Sequence, residues 1–145
     1  MENRESKRPH ERLEVWRDAM DLVETVYRFS SAFPDTERYA LTGQLRRAAV
    51  SVPSNIAEGA ARRSKAEYLR FLSIARGSLS ELDTQTQIAI RLGYAKHDDA
   101  LAELTDRVFA RLTALMNVLG KPGVSAQPGS CDSPFPIPDS RPSHA

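Results

Sequence analysis

The sequence predicts an all-α fold, an antiparallel up-and-down four-helix bundle with a disordered C-terminal tail. Apolar residues recur at spacings of three and four over most of the chain, and turn or capping residues divide this pattern into four segments. No stretch alternates apolar and polar residues as a half-buried strand would. The 145 residues suit one domain. We divide them into a flexible N-terminus (1–12), the bundle (13–120) and a tail rich in Pro, Ser and Gly (121–145).

The first helix is predicted from Leu13 to Phe33, where Pro34 with Asp35 ends it. Its apolar stripe consists of Trp16, Ala19, Met20, Val23, Val26, Tyr27 and Phe33. A helix with such a stripe buries that face against other helices.

The second helix is predicted to begin between Thr36 and Thr42, because either threonine could cap it, and to run to about Ala61. Its stripe consists of Leu41, Leu45, Ala48, Val52 and Ile56. Pro53 removes one helical hydrogen bond, so we expect a kink there. Small apolar residues beside the stripe indicate either a tightly buried helix or a contact with another subunit. The oligomer interface predicted from them consists of Ala49, Val50, Pro53 and Ala57.

The third helix is predicted to start at a capping box in which Ser64 and Glu67 satisfy each other's backbone N–H groups. Gly93 is predicted to end it, with Tyr94 closing a Schellman-type contact. Asp98 is then predicted to cap the fourth helix. The third stripe consists of Tyr68, Phe71, Leu72, Ala75, Leu79, Leu82, Thr86 and Ala89. The fourth consists of Leu101, Leu104, Val108, Leu112, Leu115 and Leu119, followed by Gly120 and Pro122.

Positive charge is concentrated in the middle of the chain. Residues 38–76 hold eight basic and two acidic side chains, a charge of +6, so the remaining residues sum to −5 in a chain of net charge +1. The candidate nucleic-acid-binding residues are Arg46, Arg47, Arg62, Arg63, Lys65, Arg70 and Arg76. Arginine suits phosphate because its planar fork donates two parallel hydrogen bonds, and the N-terminus of the third helix also favours an anion.

Two interpretations of these basic residues stay open. They bind the backbone of RNA or DNA, or they form a solvated helical face that Glu58, Glu67 and Asp83 partly balance. We find no exposed aromatic residues interleaved with them, so stacking on single strands is not predicted. No helix-turn-helix or zinc-finger pattern is present either, so backbone contacts are the expected mode.

Two amides lie at the edges of apolar stripes, Asn55 on the second helix and Gln85 on the third. A buried amide needs a hydrogen-bond partner and can set helix register or oligomeric state. The alternative is that both side chains are exposed at the rim of the bundle.

No catalytic, metal or cofactor site is predicted. His10, His97 and His144 are far apart in the sequence, and no Glu-x-x-His motif or Gly-rich phosphate loop is present. Ser51 and Ser54 have no base near them in sequence and are interpreted as helix-surface hydroxyls.

The expected location is the cytoplasm. Cys131 is the only cysteine, which excludes an intrachain disulfide and fits a reducing compartment. No apolar run approaches the roughly 20 residues of a membrane span, and residues 1–12 lack the apolar part of a signal peptide.

Several motifs together resemble one family. They are LEVW (13–16), YALT (39–42), QLRRAAVSVPSNIAEG (44–59), RSK (63–65) and FLSIARGSLSEL (71–82). This sequence resembles the bacterial four-helix-bundle proteins encoded in intervening sequences of large-subunit (23S) ribosomal RNA genes. The resemblance covers about residues 13–119, and the tail lies outside it.

The resemblance implies bundles similar to the accessory variability determinant of diversity-generating retroelements, a homopentameric barrel with a basic surface. That protein binds a reverse transcriptase and nucleic acid, whereas members inserted in ribosomal RNA genes have no established activity. By this resemblance the partners would be further copies of the chain, RNA or DNA, and a reverse transcriptase. The corresponding arginines are Arg46, Arg47, Arg62, Arg63, Arg70 and Arg76.

Two hypotheses follow. In the first, the protein is a non-enzymatic homo-oligomer, a pentamer, that binds RNA or DNA backbone and acts as an accessory to a reverse transcriptase. In the second, it is a protein–protein interaction scaffold whose arginines keep it soluble or form salt bridges between subunits.

Overall fold

The computed structural model describes residues 8–121, which form four α-helices. These are α1 Glu14–Ser30, α2 Leu41–Ala60, α3 Lys65–Arg91 and α4 Asp99–Gly120. Two 3-10 turns, Pro9–Arg12 and Asp35–Glu37, precede α1 and α2. Residues 8–121 contain no strand, and the all-α four-helix prediction is confirmed. Most of the predicted flexible N-terminus (1–7) and of the predicted tail (122–145) lies outside the described residues.

The packing of α2 against α3 is the most extensive helix pairing. Beside the connection between them, Gly59 of α2 approaches Phe71 of α3 so closely that a Cβ at Gly59 would lie 2.9 Å from the Cβ of Phe71. About two turns further along, the hydroxyls of Ser51 and Ser78 share a hydrogen bond of 2.8 Å. Residue numbers therefore fall along α2 as they rise along α3, and the two helices run in opposite directions.

Contacts of α1 show that it runs opposite to both α2 and α4. Arg46, early in α2, bonds to Ser30 at the end of α1, and Arg111, in the second half of α4, pairs with Asp18 near the start of α1. The four helices thus enclose one core in which α1 touches α2 and α4, and α3 touches the same two helices.

Local capping follows the sequence prediction at Asp98 and Gly93, whereas only half of the predicted capping box forms, because no bond from the Ser64 N–H to the Glu67 side chain is present in the described chain. The Ser64 hydroxyl accepts the Glu67 N–H at 3.2 Å, and the Asp98 carboxylate accepts the Leu101 N–H at 3.0 Å. Gly93 has φ +77°, the left-handed conformation that favours glycine. The Tyr94 N–H donates to the carbonyl of Ala89 at 2.9 Å, which closes the predicted Schellman contact.

The segment between α1 and α2 differs from the prediction. α1 ends at Ser30, three residues before the predicted end, and the Ser31 and Phe33 N–H groups bond instead to carbonyls three residues back, as in a 3-10 turn. α2 begins at Leu41, within the predicted interval, but the expected threonine cap is wrong, since no side chain of the N-cap residue bonds to the helix. Instead the Glu37 carboxylate accepts the Leu41 N–H at 3.2 Å. α2 continues as one helix across the buried Pro53.

The core is built from leucine and small aliphatic side chains, most of which the predicted stripes of α2, α3 and α4 supply. The predicted stripe of α1 is partly wrong, because α1 buries Val15, Leu22 and Phe29 and leaves Met20 and Tyr27 each 43% exposed. Fully buried large side chains include Leu22, Leu45, Ile56, Leu72, Leu79, Leu82, Leu101 and Leu112. None of the helices in residues 8–121 combines the length and the hydropathy that a membrane span needs.

The two amides behave differently. Gln85 is 6% exposed; its Nε2 donates to Glu81 at 3.2 Å, while its Oε1 has no partner in the described chain. Asn55 is half-buried and donates to the carbonyl and the hydroxyl of Ser51 at 2.8 and 2.9 Å. Through Ser51 the Asn55 amide is linked to the hydroxyl pair that joins α2 to α3.

Candidate nucleic-acid interface

Four basic residues surround the connection from α2 to α3. We call Arg62, Arg63, Lys65 and Arg70 the junction cluster. Phe71, only 7% exposed, lies beneath two of them. The guanidinium carbons of Arg62 and Arg70 lie 5.0 and 5.2 Å from its ring centroid, within the range of cation–π attraction. Phe71 therefore orients two guanidinium groups from opposite sides of the connection.

Little of the cluster's charge is neutralised. Arg62 pairs with Glu58 at 3.0 Å, one helical turn before it, and both side chains are about half exposed. Such exposed pairs contribute roughly 0–1 kcal/mol and open easily. Arg63, Lys65 and Arg70 are exposed, and no ion pair to them exists in the described chain.

The first turn of α3 adds backbone donors to this surface. Ser64 occupies the N–H of Glu67, while the N–H groups of Lys65 and Ala66 have no acceptor in residues 8–121. Both residues are exposed. Free N–H groups at a helix N-terminus favour an anion, so side-chain and backbone donors converge on the same surface.

The seven basic residues predicted as one site are divided in the structure. Arg46 and Arg47 precede Arg62 by 16 and 15 residues on or just beyond α2, which corresponds to roughly 24 Å along the helix. Arg76 is half-buried and follows Arg70 by six residues. The junction cluster is thus one surface, and the arginines at the start of α2 form another.

Arg46 serves to join two helices. Its Nε donates to the Ser30 hydroxyl at 2.9 Å, and its guanidinium carbon lies 4.5 Å from the ring centroid of Tyr27. A second nitrogen donates weakly to the Tyr27 carbonyl at 3.4 Å. The neighbouring Arg47 is exposed. Consecutive residues on one helix therefore have different environments, a structural contact for Arg46 and solvent for Arg47.

The predicted oligomer interface is divided as well. Ala49 has no exposed surface and belongs to the core of the protein itself, so it offers nothing to a second copy. Val50, 42% exposed, lies in an open groove of about 370 Å³ between α1 and α2. Pro53 and Ala57 line the same groove, which we call the α1/α2 groove. The side chains that α1 contributes to it are Trp16, Met20 and Val23.

Sequence reasoning missed one aromatic residue. Tyr39 is 89% exposed, more than any other large hydrophobic residue of the described chain, and Arg38 lies 5.8 Å from its ring centroid. The expectation that no exposed aromatic accompanies the basic residues is therefore wrong. Tyr39 carried no periodic signal because it lies in the loop before α2, but its position beside Arg38 and before two further arginines could have identified it.

The described chain gathers no group of three His, Cys, Asp or Glu side chains that could hold a metal ion. The exposed Ser54 bonds to the carbonyl of Val50 at 2.7 Å, and the Ser51 hydroxyl is shared with Ser78 and Asn55. Both serines therefore have structural partners inside or between helices.

Comparison with known proteins gives one family. No curated protein matches the sequence. The family model described as 23S rRNA-intervening sequence protein matches residues 11–114, which is more than half of the chain and includes the first three helices and most of α4. The chain therefore belongs to the 23S rRNA-intervening sequence protein family.

Proposed function

We propose that this protein is a non-enzymatic, cytoplasmic, homo-oligomeric bundle that binds the phosphate backbone of RNA or DNA through the junction cluster. The observation that carries the proposal is the concentration of Arg62, Arg63, Lys65 and Arg70 on one connection with a single weak ion pair among them. Binding of this kind releases counterions, so it weakens with salt and tolerates changes of sequence.

The geometry of the cluster supports backbone contact. Phe71 holds Arg62 and Arg70 on either side of the connection, which limits the side-chain freedom that binding would otherwise remove. The free N–H groups of Lys65 and Ala66 supply donors that are fixed by the helix. An accessory role beside a reverse transcriptase remains part of the proposal through the resemblance of the motifs.

The experiment is fluorescence anisotropy of labelled structured RNA and duplex DNA, titrated with the protein at several salt concentrations. We expect the logarithm of the association constant to fall linearly with the logarithm of salt concentration. The triple variant Arg62→Glu, Arg63→Glu and Lys65→Glu should abolish binding and leave the circular dichroism spectrum unchanged.

A matched control reverses the same number of charges at the other end of the bundle. Arg28, Arg91 and Lys96 are exposed and make no ion pair within residues 8–121. Their replacement by glutamate should weaken the binding of duplex DNA far less than the junction variant does. Equal losses in the two variants would show that only net charge matters, and absence of binding at low salt would refute the nucleic-acid proposal.

Homo-oligomerisation, as a pentamer, rests on the α1/α2 groove, where Met20 and Val50 are 43% and 42% exposed. Val50→Glu would place a charge in that groove and should reduce the mass measured by light scattering. Ile88→Glu is the control, because Ile88 is equally exposed, at 42%, and lies on α3 outside the groove. A wild-type protein that stays monomeric at every concentration would refute this part of the proposal.

The second candidate is a protein–protein interaction scaffold, which the same apolar groove favours. In that case the junction variant would alter the oligomeric mass, and neither RNA nor DNA would bind. The two measurements together therefore separate the two functions.

A further inference from the structure

A second surface lies at the start of α2, at the end of that helix opposite to the junction cluster. Its most conspicuous member is Tyr39, whose large side chain is 89% exposed and contributes nothing to the core. The backbone on both sides of it is fixed. The Arg38 N–H donates to the carbonyl of Asp35 at 3.2 Å, and the Ala40 N–H donates to the carbonyl of Glu37 at 3.0 Å. A rigid loop thus presents an aromatic ring to solvent.

A polar cavity of about 180 Å³ adjoins the same loop, and Arg38, the residue before Tyr39, is one of those that line it. The residues that line it include three that carry a hydroxyl group, Ser30, Ser31 and Thr42, and two arginines, Arg38 and Arg46. Arg38 links the cavity to the aromatic ring, because it lines the former and lies 5.8 Å from the ring centroid of Tyr39. A water molecule takes about 30 Å³ in the liquid, so the cavity has space for several water molecules and therefore for a phosphate group.

The backbone at this point also has free donors. α2 has no side-chain cap, and the N–H groups of Thr42 and Gly43 have no acceptor within residues 8–121. Thr42 is only 7% exposed, yet its hydroxyl has no hydrogen-bond partner in the described chain. The Thr42 hydroxyl oxygen is itself shielded from solvent, so the free donors that remain at this end of α2 are the two backbone N–H groups.

We infer that this surface binds single-stranded nucleic acid, with a base stacked on Tyr39 and the adjoining phosphate at the cavity. Aromatic rings stack on any base, and arginine beside them contributes both charge and cation–π attraction. The ring is available on an exposed loop, whereas bases within a duplex are stacked on one another. This inference deepens the proposed function, since it names a second contact and the strand type that the contact selects.

Two carboxylates oppose such a ligand. Asp35 lines the same cavity, and its carboxylate would repel a phosphate. Glu37 is nearby as well; its two oxygens accept the Leu41 N–H and the Tyr94 hydroxyl, and because these donors are neutral the carboxylate also disfavours a phosphate. The arrangement therefore predicts that Asp35→Asn strengthens single-strand binding, whereas a surface without a ligand at the cavity would be indifferent to that change.

The test compares two labelled single-stranded oligonucleotides of equal length and backbone charge, one complete and one with abasic sites, by fluorescence anisotropy with the full chain. Wild-type protein should bind the complete strand more tightly. Tyr39→Ala should lower the affinity for it by about tenfold, the effect of losing one stacked base, and should leave the abasic strand unaffected. Tyr39→Phe should behave as wild type, because stacking needs the ring and not the hydroxyl.

Three results would overturn the inference. They are equal wild-type affinity for the two strands, an unchanged affinity in Tyr39→Ala, and a Tyr39→Phe variant as impaired as Tyr39→Ala. The exposure of Tyr39 means that these substitutions leave the core intact, which circular dichroism verifies. Duplex binding, compared between wild type and the junction variant, tests the junction cluster separately. Either proposed surface can therefore be refuted without affecting the other.

Discussion

Asp18 on α1 and Arg111 on α4 form the most buried ion pair of the described chain, with the Asp18 side chain 12% exposed and that of Arg111 39% exposed. Arg111 also reaches Glu14 at 3.3 Å, and Arg107 lies 4.0 Å from Asp18. The Asp18 carboxylate pairs with two arginine side chains of α4, so it fixes the register of α1 against α4.

We predict that Asp18→Ala lowers the free energy of unfolding by about 1–3 kcal/mol, because Arg111 loses its buried partner while solvent and Glu14 compensate only in part. Urea denaturation followed by circular dichroism measures this. The control is Glu14→Ala, whose side chain is 68% exposed and should contribute less than about 1 kcal/mol. Equal effects of the two substitutions would contradict the role given to Asp18.

The close approach of α2 and α3 gives a second prediction. In Gly59→Ala the added Cβ would lie 2.9 Å from the Cβ of Phe71 and 3.2 Å from the carbonyl oxygen of Tyr68. The helices must separate, and we expect a loss of about 1–3 kcal/mol. Gly77→Ala is the matched control, since its Cβ would meet nothing within 4 Å and alanine favours a helix interior by up to about 1 kcal/mol. Thermal melting should therefore shift in opposite directions.

Arg46 and Arg47 give a third prediction. Arg46→Ala removes the bond to Ser30 and the stacking on Tyr27, so the free energy of unfolding should fall by about 1–2 kcal/mol. Arg47→Ala alters an exposed side chain and should change stability by less than about 0.5 kcal/mol. If Arg47→Ala is the more destabilising substitution in urea denaturation, the assignment of the α1–α2 contact to Arg46 is wrong.

A fourth prediction concerns pH. The Tyr94 hydroxyl donates to Glu37 at 3.1 Å, and this hydrogen bond, with partial burial and the carboxylate charge, raises the pKa of Tyr94. The folded state thus retains the phenol proton to higher pH than the unfolded state does. The stabilisation is complete below the ordinary tyrosine pKa near 10 and is lost as the pH rises through the folded value.

Urea denaturation at about pH 8 and about pH 11, on either side of that ordinary value, should show a larger alkaline loss of stability in wild type than in Tyr94→Phe. Burial also raises the pKa of Tyr68, so some alkaline loss should persist in the variant. An identical pH dependence of the two proteins would exclude a contribution from the Tyr94–Glu37 contact.

The features that sequence predicted correctly are those decided locally. Gly93 ends α3 because only a residue tolerant of positive φ fits that turn, and Asp98 caps α4 because its short carboxylate reaches a free N–H group. At the start of α2 the same reasoning failed. The cap there comes from Glu37, four residues before Leu41, and this depends on the 3-10 turn that precedes the helix.

The candidate sites depended on information that spacing along one helix does not contain. Ala49 and Val50 are neighbours in a run of small residues, yet one is in the core and the other in the α1/α2 groove. Which side of α2 faces α1 is fixed only when both helices are packed. Tyr39 lies in a loop and belongs to no helical stripe, so helical periodicity carries no information about its exposure.

The alternating directions of the helices place the two proposed contact surfaces at opposite ends of the bundle. α1 begins and α4 ends beside the junction cluster, whereas the α3–α4 connection lies at the end that carries Tyr39, as the contact between Tyr94 and Glu37 indicates. In a surface-based binding assay, attachment through Lys96 would therefore turn the junction cluster toward solution, and attachment through Lys121 would expose Tyr39 instead. The orientation of the protein on the sensor therefore decides which end of the molecule the assay measures.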